Sequence, residues 1–324
     1  MNDLKRLENE DFTSWKIRCC LSKKRKETDM DWVEIRDMLG LDITPDQLRK
    51  QSVGYEEYDN WIHGNEGIGR KILSISDLHI PFNLPLETFK DYSGAIDTLV
   101  LNGDLEDCQS VSKFSKKYRI HFTEEMVITR QYMIDLIKML NPKEVIIVKG
   151  NHEVRMGRYL SEQLNDDIMN LMPDSPMDLI VNDGFKNRDR LNKTETWYCP
   201  LIEVFRDTGI DISYTGDWWR KVGKSIFVHP LSYSSGMLKT TEKAIEHFLR
   251  VDRDFDALIM AHTHKLGSYV QGGIYMYEQG CCCKTEMLDY NDGYMTLPPQ
   301  KGFIYICQDV DGFIVPNKTK LITL

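Results

Sequence analysis

Five of the eight histidines in this 324-residue chain belong to one ordered series of polar residues. In chain order it reads Asp77-Leu78-His79, Gly103-Asp104, Gly150-Asn151-His152-Glu153, a lone His229, and Ala261-His262-Thr263-His264. Imidazole nitrogens beside carboxylate and amide oxygens form a donor set for divalent metals, and the series holds enough of them for two ions. Nitrogen donors disfavour the hard alkaline-earth ions, so the set suits Mn²⁺, Fe, Zn²⁺ or Ni²⁺ better than Ca²⁺ or Mg²⁺.

Each cluster follows a short run rich in Val, Ile and Leu: Lys71–Ser76, Thr98–Asn102, Val145–Lys149, Ser225–Val228 and Ala257–Met260. Runs of this length read as buried strands. The long connections between them carry helical patterning, which implies crossover units and a sheet covered on both faces, with ligand chemistry outside the carboxyl ends of the strands. Any single His or Asp could cap a strand or satisfy a loop. Five polar clusters in order, each behind a strand, are hard to explain that way.

The order D-x-H, G-D-x-x-D, G-N-H-E, a lone His and x-H-x-H resembles the calcineurin-like metallophosphoesterase superfamily, in particular its phage- or bacterium-encoded members, from about Lys71 to His264. The resemblance implies a four-layer α/β sandwich of two mixed sheets flanked by helices. It also implies a dinuclear site in which Asp104 bridges both metals, with Asp77, His79 and His264 completing one and Asn151, His229 and His262 the other. Physical reasoning agrees, because two cations about 3.5–4 Å apart need a shared anionic oxygen to screen their repulsion. Mn²⁺ is the first expectation, with Fe, Zn²⁺ or Ni²⁺ as alternatives. It places His152 beside the metals as general acid or phosphoryl donor, oriented by Asp107; a helix cap is the plainer reading of Asp107.

Two departures bear on function. Ala261 stands where the family's last motif usually has Gly, and Asp107 is followed by Cys108-Gln109 where the protein Ser/Thr phosphatases have Arg-Gly. Protein dephosphorylation is therefore the poorer fit.

Composition is that of a globular enzyme, 41% hydrophobic and 28% charged. No apolar run approaches a membrane span and no signal segment is evident, so a cytoplasmic protein is expected. A net charge of −9 argues only weakly against a phosphate-rich substrate, since bound cations reverse the local potential. The eight cysteines form no C-x-x-C pair, so reduced thiols are expected, with Cys281-Cys282-Cys283 on a buried strand.

Residues 1–65 read as a small helical domain and 66–324 as the phosphoesterase domain, with a linker near Gly64–Gly69. In the first, a basic stretch from Lys16 to Lys26 precedes Trp32, Ile35, Met38 and Leu39 at helical spacing, and then the capped start Thr44-Pro45. The pattern allows a DNA-binding helix-turn-helix or plain helix packing. Between Glu153 and His229 strand signal is poor, implying an insertion over the site. Its Trp218 and Arg220 could stack a base and hold a phosphate, or Trp218 and Trp219 could pack an edge hairpin. Arg155 could grip a substrate phosphate. Gly302–Ile306, the turn Asp311-Gly312 and Phe313–Val315 read as a hairpin finishing the second sheet.

The expected function is hydrolysis of a phosphodiester in nucleic acid or a nucleotide. The alternatives are a phosphomonoesterase and, from another class, a metal-stabilised binding or regulatory protein. No membrane partner is expected.

Overall fold

The computed structural model describes residues 4–7, 10–63, 67–113, 120–189, 192–232, 236, 238–288 and 298–324. The chain divides into two compact units, residues 1–67 and 68–324. The Gly64–Glu66 part of the expected linker lies outside the described residues.

In the first unit three helices form where caps and apolar spacing coincide: α1 (Phe12–Lys24), α2 (Trp32–Met38) and α3 (Pro45–His63). Asp11 caps α1 through the N–H groups of Thr13 and Ser14. Asp31 and Glu34 form a capping box on α2, and Thr44 and Gln47 exchange the equivalent bonds at α3. Ile35, Leu39 and Leu48 close a small core with Cys19, Cys20 and Leu4.

The second unit alternates strands and helices: β1 (Arg70–Ile75), β2 (Thr98–Asn102), α4 (Phe122–Leu140), β3 (Glu144–Val148), α5 (Val154–Gln163), α6 (Asp166–Met169), β4 (Phe185–Asp189), β5 (Thr194–Tyr198), α7 (Leu201–Val204), β6 (Asp211–Tyr214), β7 (Trp219–Val222), β8 (Ser225–Val228), α8 (Lys239–Val251), β9 (Ala257–Met260), β10 (Leu266–Gln271), β11 (Ile274–Gln279), β12 (Gly302–Gln308) and β13 (Lys320–Thr323). One sheet runs β13-β12-β1-β2-β3-β6, a second runs β10-β11-β9-β8-β7, and β4 and β5 pair as a hairpin.

Alternation of side chains along the strands builds the layers. Leu73, Ile75, Leu99, Leu101, Val145 and Ile147 face α4 residues such as Met133, Leu136 and Ile137. Their neighbours Ile72, Val100, Ile146 and Val148 meet Phe227, Ile259 and Tyr277 between the sheets. The far face of the second sheet, with Ile226, Val228, Leu258 and Met260, packs on Ile245 and Phe248 of α8. Helix, sheet, sheet, helix is thus the order of the four layers. No helix among the described residues is long and apolar enough to cross a membrane.

Three expectations need correction. The segment between Glu153 and His229 does contain strands: β6 is an edge of the first sheet and β7 an edge of the second, both short and only partly buried, which is why their apolar signal is weak. The C-terminal strand β12 joins the first sheet beside β1, and its hairpin partner is β13. Ile314 makes only an isolated bridge to Gln308, because Asp309 Oδ1 captures the N–H groups of Asp311 and Phe313 in the turn and Pro316 lacks a donor to continue the ladder. Cys281, Cys282 and Cys283 are buried free thiols but follow β11 as isolated bridges to Lys301 and Asn83 rather than forming a strand, since Gly280 turns the chain with φ +79°.

Candidate metal centre

The polar series sits where the parallel strands end. Asp77 and His79 follow β1, Asp104 follows β2, Asn151 and His152 follow β3, His229 follows β8, and His262 and His264 follow β9. Asp77, His79, Asp104, His262 and His264 all have positive φ, a conformation that costs non-glycine residues about 1–3 kcal/mol each. Such strain persists only where the surroundings impose it. They do so here partly through glycine: a Cβ on Gly150 would lie 2.2 Å from the Asp104 amide nitrogen and Oδ1, and one on Gly103 would lie 2.3 Å from His229 Nδ1.

The side chains converge in three groups whose ligand atoms lie within 4.8 Å of one another: Asp77, His79 and His264; His79, Asp104 and His152; Asp104, His229 and His262. Asp104 Oδ2 is 3.2 Å from His229 Nε2 and 3.9 Å from His79 Nε2, so this carboxylate joins the groups. Asp77 Oδ1 is 3.1 Å from His264 Nε2, and Asn151 Oδ1 is 3.2 Å from His229 Nε2. Burial alone would raise the Asp104 carboxyl, but positive charge on His229 and His152, while those rings are protonated, holds it well below the ordinary carboxylate range.

Hydrogen bonds on the far side of two rings settle which nitrogen faces the centre. His229 Nδ1 lies 2.8 Å from the Asn102 carbonyl, and an N–H there leaves Nε2 as the lone-pair donor. His79 Nδ1 lies 3.1 Å from Asp107 Oδ1, with the same result. Buried rings whose Nε2 atoms gather with carboxylate and amide oxygens and a further imidazole nitrogen, His79 Nε2 being 3.3 Å from His264 Nε2, fit divalent metal ions.

Asp107 serves two imidazoles. Its Oδ1 is also 3.1 Å from His152 Nδ1, and its carbonyl is 2.9 Å from the same nitrogen. It is no helix cap: the short turn Gln109–Val111 starts from a left-handed Cys108 and receives no side-chain cap. Arg155 is neither a surface ion pair nor free: its Nη2 donates to His152 Nε2 at 2.7 Å and its Nη1 to the Asp107 carbonyl at 2.8 Å.

Trp218 immediately precedes β7, and Arg220 lies within it. The Trp218 carbonyl accepts the His229 N–H, but its indole packs on His247 and Phe248 of α8, with ring centroids 5.8 Å from each. Arg220 pairs with Phe227 within the second sheet. The aromatic signal there belongs to packing.

One residue of the third motif went without a role in the sequence. Glu153 is fully buried and accepts N–H bonds from Asp104, Leu105, Glu106 and Gly150 at 2.7–3.2 Å, tying the loops after β2 and β3 together. Burial first and the Asp104 carboxylate second push its acid up to about 7. Its only sequence signal was its place in Gly150–Glu153, where an acid at a helix start reads as a dipole partner.

A family model described as calcineurin-like phosphoesterase matches residues 70–266, more than half of the chain. The chain belongs to the calcineurin-like phosphoesterases. As a member it is a metal-dependent phosphoester hydrolase. Among solved structures, vacuolar protein sorting 29 from Cryptosporidium parvum is 16% identical, with 79% of this chain and 97% of that one covered and a TM-score of 0.36. Vps29 from Entamoeba histolytica in complex with zinc is also 16% identical, over 78% and 98%, with a TM-score of 0.35. A predicted phosphoesterase from Streptococcus pneumoniae is 12% identical over 79% and 98%, with a TM-score of 0.31. Overlaps this weak add nothing, and membership of the calcineurin-like phosphoesterases rests on the family model. No curated protein matches the chain.

Proposed function

We propose that this calcineurin-like phosphoesterase is a dinuclear-metal phosphodiesterase acting on nucleic acid or a nucleotide. The observation that carries the dinuclear reading is Asp104, whose Oδ2 stands between the His229 and His79 nitrogens. Asp77, His79 and His264 would hold one ion, Asn151, His229 and His262 the other, and Asp104 both; Mn²⁺ is the expected metal. Bound metals of this kind acidify a water and neutralise charge on the phosphoryl oxygens.

The remaining chemistry belongs to side chains. Asp107 fixes the His152 ring through Nδ1, which leaves Nε2 as the nitrogen that gives a proton to the departing alkoxide. With Arg155 donating to it, Nε2 carries a lone pair and no proton. Substrate phosphate that draws the guanidinium away therefore frees Nε2 to take up a proton, and Arg155 gains a bidentate partner in exchange.

The nucleic-acid part of the reading is supported by the helical unit. There a cavity of about 650 Å³ is lined, among the described residues, by Lys23, Lys24, Lys26, Arg49 and Lys50 with Trp32 and Asp29. Cations grouped around an aromatic ring suit a phosphate backbone with a base to stack.

The test is the Mn²⁺-loaded protein on bis-p-nitrophenyl phosphate and p-nitrophenyl phosphate, followed by single- and double-stranded DNA. Faster turnover of the diester and of DNA is expected. Preference for the monoester would make the chain a phosphomonoesterase, and turnover of neither would make it a binding protein.

A further inference from the structure

Beside the His152–Asp107 pair lies a second cavity, of about 360 Å³, that the metal centre does not use. One wall is α5, where Arg155, Arg158, Tyr159 and Glu162 recur at the helical spacing that puts them on a single face. The other wall is Ser110 to Lys113, which runs through and past the turn Gln109–Val111. Both walls thus lie close in the chain to the catalytic pair: α5 begins two residues after His152, and the turn begins two residues after Asp107. Arg155 joins cavity to centre, since the guanidinium that lines the one touches His152 Nε2 in the other.

The lining is cationic in a chain of net charge −9. Among the described residues of the lining, Lys113, Arg155 and Arg158 stand with one carboxylate, Glu162, which takes up Lys113 in an exposed ion pair of 3.0 Å. Hydroxyls of Ser112 and Tyr159 add neutral donors, and Tyr159 is 47% exposed, leaving room for a sugar or base against it. A volume at the lower end of small-molecule sites suits one phosphate with its sugar rather than a longer chain.

We propose that this cavity binds a second phosphate of the substrate, the one carried by the nucleotide that departs with His152's proton. The inference rests on the diesterase reading and deepens it: the favoured substrate is an oligonucleotide with a phosphate next to the scissile one, and a bare diester is the poorer substrate. Lys113 and Arg158 are specificity residues, and Arg155 passes between His152 and the substrate's phosphates.

The dinucleotide TpT and its terminally phosphorylated forms pTpT and TpTp test this with Mn²⁺-loaded wild type and the Lys113→Gln, Arg158→Gln double variant. For the wild type, kcat/KM on one phosphorylated form is expected to exceed that on TpT by about ten-fold or more, through KM, the size of one charge-assisted contact. The variant should lose this preference and keep the wild-type rate on TpT and on bis-p-nitrophenyl phosphate. Equal wild-type rates on all three dinucleotides, or a preference that survives in the variant, overturn the cavity. Equilibrium dialysis of labelled dinucleotides separates this from failure of the diesterase reading. If only p-nitrophenyl phosphate is turned over, that reading falls. The cavity then stands where a terminal phosphate tightens binding to wild type but not to the variant, and falls where it does not.

Discussion

His152 has each ring nitrogen spoken for, Nδ1 by Asp107 and Nε2 by Arg155, and this divides the roles of its neighbours. A general acid contributes roughly 10²–10⁴-fold when the leaving group needs a proton, and little when it does not. His152→Ala is therefore expected to slow DNA or alkyl-ester hydrolysis by roughly that range, to slow nitrophenyl-ester hydrolysis less, and to retain its metal. Metal content by atomic emission and turnover on the two ester types decide it; metal loss would place His152 among the ligands, as its grouping with His79 and Asp104 would allow. Asp107→Asn should behave differently, losing metal as well as rate, because the same carboxylate oxygen also holds His79. Full metal content in that variant would confine Asp107 to His152.

At the scale of elements, the loops after β2 and β3 must approach closely enough for Asp104 and His152 to meet, and the His152 N–H donates to Asp104 Oδ1 at 2.8 Å. Gly150 permits that approach and Glu153 fixes it through four backbone N–H bonds. A methyl group at 150 has backbone in its way, and backbone does not yield cheaply. Gly150→Ala is expected to cost about 1–3 kcal/mol by overpacking and to lower metal content. The check is thermal unfolding alongside metal analysis, and a variant with unchanged melting and full metal would refute the close-approach argument.

For the whole molecule, the basic cavity of the helical unit narrows the basic run of the sequence to particular side chains. Lys24 is already engaged with Glu56 at 3.1 Å, and Arg49 and Lys50 share Asp46, so the cavity's charge is partly spent internally. Lys23 and Lys26 line it from the end of α1. If the cavity holds a DNA backbone, Lys23→Ala with Lys26→Ala should weaken DNA binding and flatten the plot of log affinity against log salt by about 0.9 for each phosphate that is no longer neutralised. Hydrolysis of bis-p-nitrophenyl phosphate should be unchanged, since a small diester carries no distant phosphates. An unaltered salt slope would return this unit to a packing role.

The strands that end in the polar series, and the order of that series along the chain, are legible in the sequence. β2, β8 and β9 have the bounds their apolar runs indicated, because a strand buried on both faces must be apolar throughout and the polar residue that ends it is conspicuous. Edge strands escaped this logic: half-exposed β6 and β7 need no continuous apolar run, and β13 is recognisable only from its pairing with β12. Tertiary structure alone decided the polar contacts. That Asp107 spans two imidazoles, that Arg155 rests on His152, that Glu153 staples two loops and that Trp218 turns toward α8 all depend on groups brought together from different strand ends. Local patterning records the burial of a residue's own segment, and it holds no record of which distant donor that residue will meet.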